Sequence, residues 1–454
     1  MTSPTTLLFD QALVDKGWAQ QVRISVNARH ISAIETGCVP TEHDECHAIG
    51  IPGLPNLHSH AFQRGMAGLA ETRGPASDNF WTWRQIMYRF VDTIGPLEAE
   101  AIATLAYMEM LEGGFTRVGE FHYLHHDPAG AAYANPAEMA EAIAAAAQAA
   151  GIALTLLPVF YAHAGFGGTV PLHGQRRFVT STEQFARLFE QCRVIVAALP
   201  GARLGIAPHS LRAVTPEELK ILLALGGDGP VHIHAAEQLA EVTDCLDWSG
   251  ARPVEWLLDN APVDERWCLI HATHIEPFEV KRLAASGAVA GLCPITEGNL
   301  GDGIFPAVDF MAAGGRFGIG TDSNILLDAT EELRMLEYSQ RLLHRKRNML
   351  ADNEGASVGG QLYRRALGGG GQALGASSDL AIGAPADIVS LDAAHPSLQL
   401  RQRDLLLDGL IFAAGRNAID CVWRGGQKMV SGGRHHARSE ITERYRAALT
   451  RILV

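Results

Sequence analysis

Lysine is nearly missing from this chain: there are five in 454 residues, and none between Lys16 and Lys220. The formal net charge is -13, a balance that repels phosphate backbones and so excludes broad binding to nucleic acid or to an anionic membrane. Cys-x-x-Cys pairs are also missing. The seven cysteines (Cys38, Cys46, Cys192, Cys245, Cys268, Cys293 and Cys421) are scattered and odd in number, which points away from a disulfide framework and from a thiolate zinc site and fits a reduced cytoplasm. The N-terminus has no basic start followed by a long apolar segment, so no secretory signal is expected. One uncharged run, Ala142 to His173, is long enough for a membrane span. Gly151 and Pro158 divide it into an Ala-rich helix and a short β-branched and aromatic run, which reads as a buried helix–strand pair.

What the chain does have is the composition of a soluble globular protein, 47% hydrophobic and 19% charged. Eight short apolar runs bounded by turn residues alternate with helical patterns: Leu54–His60, Phe115–Phe121, Ile152–Tyr161, Arg203–His209, Pro230–Ala235, Trp267–Ala272, Ala288–Cys293 and Phe317–Asp322. Helix starts are marked as well. Thr215-Pro216-Glu217-Glu218 offers an N-cap, a proline at the first helical position and a capping-box glutamate. Alternating strands and helices imply a parallel sheet, and eight such units predict an α/β fold, a (β/α)8 TIM barrel over 51–384. The two ends, 1–50 and 385–454, read as one small composite β domain, a β-sandwich built from both termini. Its strand-like segments include Gln21–Val26 and Ala386–Leu391, and Gly425-Gly426 and Gly432-Gly433 look like hairpin turns. Gly368–Gly371 lacks the Lys-Ser/Thr of a phosphate loop and is expected to be a connector.

His58 and His60 lie two apart at the end of the first predicted strand, so their imidazoles point the same way. The fifth strand ends in His234, the sixth in His271 and the eighth in Asp322, all at the carboxyl end where TIM-barrel active sites are built. A lone buried histidine is an ordinary core residue. Imidazoles and an acid recurring at equivalent heights on four strands instead predict a metal site, and nitrogen and oxygen donors without thiolate suit zinc.

This pattern, His-x-His on strand one, His on strands five and six and Asp on strand eight, resembles the amidohydrolase superfamily over essentially the whole chain. Binuclear members usually bridge their metals through a carboxylated lysine on strand four. Here Lys220 falls in a helical stretch after that strand, so one zinc per chain is expected, held by His58, His60, His234 and Asp322. Glu237, in His234-Ala235-Ala236-Glu237, resembles the acid that shuttles a proton in mononuclear deaminases, which leaves His271 off the metal. Within the superfamily, Leu57-His58-Ser59-His60-Ala61-Phe62-Gln63-Arg64-Gly65, Phe80-Trp81-Thr82-Trp83-Arg84 and Cys293–Gly303 resemble the formimidoylglutamate deiminase family. That resemblance implies hydrolysis of N-formimidoyl-L-glutamate to N-formyl-L-glutamate and ammonia in histidine degradation. It also implies Gln63, Arg84, Tyr123, His209 and Arg212 as substrate-binding residues.

A substrate with two carboxylates and an amidine needs cationic donors at one end of its pocket and a nucleophile at the other. Arg84, in the long loop after strand one, and His209 and Arg212, after strand four, are all positioned to face one pocket. In the expected mechanism His271 takes a proton from the attacking water and Glu237 protonates the departing nitrogen, with the reverse division of labour open. Two rival readings stand beside it: a deaminase of a cyclic base such as guanine or cytosine, and a metal-free barrel acting as a binding or assembly module. Taken singly, Arg84 reads equally as a solvated residue and Tyr123 as core; the plain reading of Glu237, a helix-start carboxylate, gives way to catalysis because Glu237 follows a strand-end ligand on the active face. His122, His125 and His126 lack converging spacing and read as structural; His435 and His436 read as exposed tail residues. A homodimer is expected from the prevalence of that state.

Overall fold

The computed structural model describes residues 5–74 and 78–453. Eight strand positions form the barrel. β5 (Leu54–Ser59), β6 (Phe115–His122), β7 (Ala153–Phe160) and the pair β8 (Arg203–Leu204) and β9 (Ala207–Pro208) make one parallel arc. β10 (Val231–Ala235), β11 (Trp267–His271), β12 (Val289–Leu292) and β13 (Arg316–Ile319) make the other. Parallel bridges at Ile206–Val231 and Ser210–His234 join the arcs on one side, and one at Ser59–Asp322 joins them on the other. The predicted fourth strand is interrupted at Gly205, where a Cβ would stand 2.7 Å from the Pro230 carbonyl oxygen, so the chain can pass only without a side chain.

The uncharged run divides as expected, into helix α3 (Glu138–Ala150), the left-handed Gly151 at φ +80°, and buried β7. No described helix is long and apolar enough to cross a membrane. The other barrel helices used below are α1 (Phe80–Val91), α2 (Pro96–Glu112), α5 (Pro216–Gly226), α9 (Pro294–Leu300) and α12 (Val358–Ala373). Thr215 caps α5, accepting from the Glu218 amide, with Pro216 at its first position. Gly368–Gly371 is not a connector: it lies inside α12. A Cβ at Gly369 would collide with the Phe317 carbonyl, and one at Gly370 would sit 2.7 Å from Pro55. The glycines let the helix backbone touch β13 and β5, which outweighs their poor helix propensity.

Both termini build one eight-stranded sheet. Its order runs β17 (Arg434–His435), β16 (Gln427–Ser431), β15 (Ile419–Arg424), β14 (Ile388–Leu391), β4 (Asp44–Pro52), β1 (Thr5–Val14), β2 (Gly17–Asn27), β3 (His30–Glu35). The sheet folds over a core to which Phe9, Ile24, Ile31, Ile388 and Trp423 all contribute. Gly425-Gly426 and Gly432-Gly433 make the turns of its last two hairpins, all four at positive φ. The final helix α14 (Arg438–Leu453) packs on α2 of the barrel, with Ile441 against Leu105 and Met108 and ion pairs from Arg438 to Glu112 and Arg444 to Glu100. His435 is therefore not an exposed tail residue. It is buried, its amide donating to Glu112 and its ring bonded to the Ala150 carbonyl, while His436 stays outside, stacked on it.

Candidate active site

The ends of β5 and β13 are stapled together. The amides of Thr321 and Asp322 both donate to the His58 carbonyl at 3.0 Å, and the His60 amide donates to the Asp322 carbonyl at 2.9 Å. Gly320 permits this closeness, since a Cβ there would meet the His58 backbone at 2.9 Å. Around the same rim, Ala236, His271, Ala272, Asp322 and Asn324 all have positive φ between 43° and 67°. Such backbone is costly for residues with a side chain, and it concentrates where a structure holds groups for chemistry.

The result is a cluster of four buried groups. Ring nitrogens of His58, His60 and His234 and a carboxylate oxygen of Asp322 all lie within 4.8 Å of one another. Asp322 Oδ1 is 3.2 Å from His60 Nε2 and 3.5 Å from His58 Nε2. His60 Nδ1 bonds to the Phe121 carbonyl at 2.9 Å and His234 Nδ1 to the His209 carbonyl at 3.0 Å. A carbonyl can only accept, so both rings carry their proton on Nδ1 and turn the Nε2 lone pair inward. There His234 Nε2 meets His58 Nε2 at 3.2 Å. Lone pairs converging on a buried carboxylate are what a divalent cation satisfies, so the donor set fits a metal ion held by these four residues. Burial alone would raise the Asp322 carboxyl; the imidazoles of His58 and His60 against it instead carry it well below the usual carboxylate range.

His271 stands just beside this quartet. Its Nε2 is 3.8 Å from both Glu237 Oε1 and Asp322 Oδ2, and its Nδ1 is 3.3 Å from Glu297 Oε1. Burial opposes its charge, but Glu237, Glu297 and Asp322 together push its pKa up to about 10. Burial also raises the Glu237 carboxyl, with His271 and Arg212 acting against the rise. Glu237 Oε2 lies 3.7 Å from the Arg212 guanidinium.

The residues expected to bind substrate converge on the same pocket, which Gln63, Arg84, Tyr123, His209 and Arg212 line together with Glu237, His271 and Asp322. Arg84 lies on a helix within the expected loop. Asn79 caps α1 by accepting from the Trp81 amide at 2.9 Å while its own amide donates to Thr82 Oγ1 at 3.0 Å. The Arg84 guanidinium sits 4.4 Å over the Trp81 ring. Gln63 donates to the Tyr123 hydroxyl at 2.8 Å. Among the described residues, Arg84 Nε, Arg212 Nε and Gln63 Oε1 are buried atoms with no hydrogen-bond partner. The histidines after β6 are not drawn into the site: His125 and His126 bond to the carbonyls of Val159 and Val179.

Sequence reasoning missed two carboxylates. Glu297, on α9, accepts the Cys293 amide at 2.9 Å as well as facing His271. Glu241 accepts the amides of Ala236 and Glu237, both at 3.1 Å, and so anchors the turn that carries Glu237. The one available signal was the four-residue spacing from Glu237 to Glu241.

The amidohydrolase family model matches residues 49–429, and the model described as Formimidoylglutamate deiminase HutF, N-terminal domain, matches residues 7–48. The formimidoylglutamate deiminase of Pseudomonas aeruginosa is 50% identical over 434 residues, 95% of this chain and 96% of that protein. A 5-methylthioadenosine/S-adenosylhomocysteine deaminase of Natronomonas pharaonis is 30% identical over 76% of this chain and 74% of its own length. The crystal structure of an amidohydrolase from Brucella melitensis superposes with a TM-score of 0.96 at 55% identity, covering 99% of this chain and 100% of that one. An adenosine deaminase from Xanthomonas campestris, solved with bound zinc, shares the fold at a TM-score of 0.82 and 23% identity. The chain belongs to the amidohydrolase family, on the branch that carries the formimidoylglutamate deiminase N-terminal domain.

Proposed function

We propose that this chain hydrolyses N-formimidoyl-L-glutamate to N-formyl-L-glutamate and ammonia, in the degradation of histidine, as a cytoplasmic homodimer with one zinc ion in each barrel. The observation that carries the reading is the polarity of the pocket: buried guanidinium N–H groups of Arg84 and Arg212 without partners on its walls, and the His/Asp quartet with Glu237 at its floor. Unpaired buried donors are costly, and a carboxylate relieves that cost with charge-assisted hydrogen bonds of about 1.5–3 kcal/mol each. A substrate carrying carboxylates at one end and an amidine at the other matches both ends.

His58, His60, His234 and Asp322 would hold the zinc, which supplies a Lewis acid and a water acidic enough to deliver hydroxide near neutral pH. The remaining work falls to side chains. Arg212, with Arg84, grips the carboxylates and orients the amidine over the floor; Gln63, Tyr123 and His209 complete the walls. Glu237 takes the proton of the attacking water and delivers it to the departing nitrogen, which leaves as ammonia, the reverse of the division of labour first expected. His271, anchored at Nδ1 by Glu297 and kept protonated by the carboxylates around it, donates from Nε2 beside Glu237 and steadies the charge that develops there. Phe80, Trp83 and Tyr88 form an aromatic wall on the far side of the pocket.

The test is ammonia release from zinc-loaded protein across acyclic amidines and heterocyclic bases, with metal analysis of the same sample. Turnover of formimidoylglutamate with about one zinc in the barrel is the expected result. Turnover of guanine or cytosine alone would overturn the substrate, and stoichiometric absence of metal would overturn the enzyme.

A further inference from the structure

A second cluster of metal-ligating groups lies in the terminal sheet, at the rim of a cleft of about 860 Å³ between that sheet and the barrel. His47 is on β4 and Asp420 and Cys421 are on β15, so the cluster ties the N-terminal part of the sheet to the C-terminal part. Adjacent strand residues normally face opposite ways. Here the β14–β15 ladder shifts register between Val389 and Leu391, and the Cys421 amide donates to Ser390 Oγ at 3.0 Å instead. That irregularity brings the neighbours together: the Cys421 thiol donates to Asp420 Oδ2 at 3.3 Å. His47 Nδ1 lies 3.7 Å from the same oxygen, and all three ligand atoms fall within 4.8 Å of one another.

The 3.3 and 3.7 Å spacings to Asp420 are close to the edges of a coordination tetrahedron, and the third, within 4.8 Å, closes to such an edge with a small side-chain movement. Zinc bonds of about 2.0–2.3 Å to N, O and S give ligand–ligand edges of about 3.3–3.6 Å. The surroundings also fit a ligand. His47 Nε2 bonds to Glu45 Oε1 at 2.8 Å, and Lys428 holds that carboxylate in turn. A carboxylate on one ring nitrogen fixes the tautomer and frees the other nitrogen for a cation. Cys421 is buried, whereas the Asp420 side chain is 37% exposed and opens onto the cleft, which provides an entry path.

We infer that His47 Nδ1, Asp420 Oδ2 and Cys421 Sγ form a second metal site, distinct from the barrel quartet, for one divalent cation of the zinc class. On capture the S–H bond breaks, a sulfur–metal bond forms and the proton leaves to solvent. Water from the cleft fills the fourth position. The role is a clasp joining β4 to β15.

Zinc content of the full-length protein after dialysis against buffered zinc should be one equivalent higher in the wild type than in Cys421→Ser or in His47→Gln. Ammonia release should be the same in all three. Cobalt in place of zinc should give a thiolate-to-metal charge-transfer band that Cys421→Ser lacks, and Glu45→Gln should weaken the second equivalent by about 10-fold. His47→Gln, at a half-open rim, serves if the buried serine disturbs folding. Equal zinc content in wild type and both variants, or a charge-transfer band that survives in Cys421→Ser, would overturn the site.

Discussion

At the scale of the residue, Glu237 is placed between two cations, His271 at 3.8 Å and Arg212 at 3.7 Å, in a pocket whose burial pushes its proton affinity up. A carboxyl in that setting takes and gives a proton more readily than one in water. Glu237→Gln keeps volume and polarity but cannot carry the proton, so kcat should fall by about 100-fold or more while zinc content stays at the wild-type level. Metal analysis beside steady-state kinetics checks it; zinc lost with turnover retained would remove Glu237 from the proton path. Arg212→Met should act differently, raising KM for the dicarboxylate by about 10-fold or more. Because its guanidinium also faces Glu237 and Glu241, kcat should fall as well, though less than in Glu237→Gln. An unchanged KM would put the carboxylate grip elsewhere.

At the scale of the element, α12 closes the lower end of the barrel through contacts that sequence pattern alone does not reveal. A run of four glycines reads as a break because glycine disfavours helix by about 1 kcal/mol each relative to alanine. The preference reverses only where a neighbouring backbone occupies the Cβ position, which is a tertiary fact. The two halves of the run separate these effects. Nothing lies within 4 Å of a Cβ at Gly368, so Gly368→Ala should stabilise by up to about 1 kcal/mol, whereas Gly369→Ala meets the Phe317 carbonyl and should destabilise. Urea unfolding of the pair reads both signs, and a stabilised Gly369→Ala would remove close approach as the reason for the run. His232 on β10 fastens the same helix, bonding through Nε2 to the Ala373 carbonyl at 2.7 Å. Burial holds it at about 4 against an ordinary 6.5, with that hydrogen bond opposing the shift. The unfolded chain therefore takes up this proton first as pH falls. Stability from neutral His232 is complete above pH 6.5 and is lost as the pH falls through about 4, a span of roughly 3 kcal/mol. Unfolding free energies of wild type and His232→Gln should converge as the pH is lowered across that window; a constant difference would contradict it.

At the scale of the whole molecule, the barrel and the convergence of its His/Asp quartet were legible because both rest on local signals. Apolar runs and turn residues mark each strand, and His58, His60, His234 and Asp322 all fall within the last three residues of such runs. Glu297 was not legible, since the ring it faces is brought near only by packing, and Glu241 left no signal beyond its four-residue spacing from Glu237. The buried place of His435 depends likewise on α14 folding back onto α2. The quartet also joins β5, β10 and β13, strands from both arcs, so its cation should stabilise the barrel as a unit. Binding to the folded state alone adds RT ln(1 + [L]/Kd), about 4 kcal/mol at a thousandfold excess of zinc over Kd. Measured in the Cys421→Ser background, so that only the barrel site contributes, chelation should abolish ammonia release and lower the unfolding temperature, and added zinc should restore both. Asp322→Asn removes the charge that three converging imidazoles share, so its unfolding temperature should no longer respond to zinc. If chelation stopped turnover yet left the unfolding temperature in place, the metal would be a reagent held at the rim and not a tie between the two halves of the barrel.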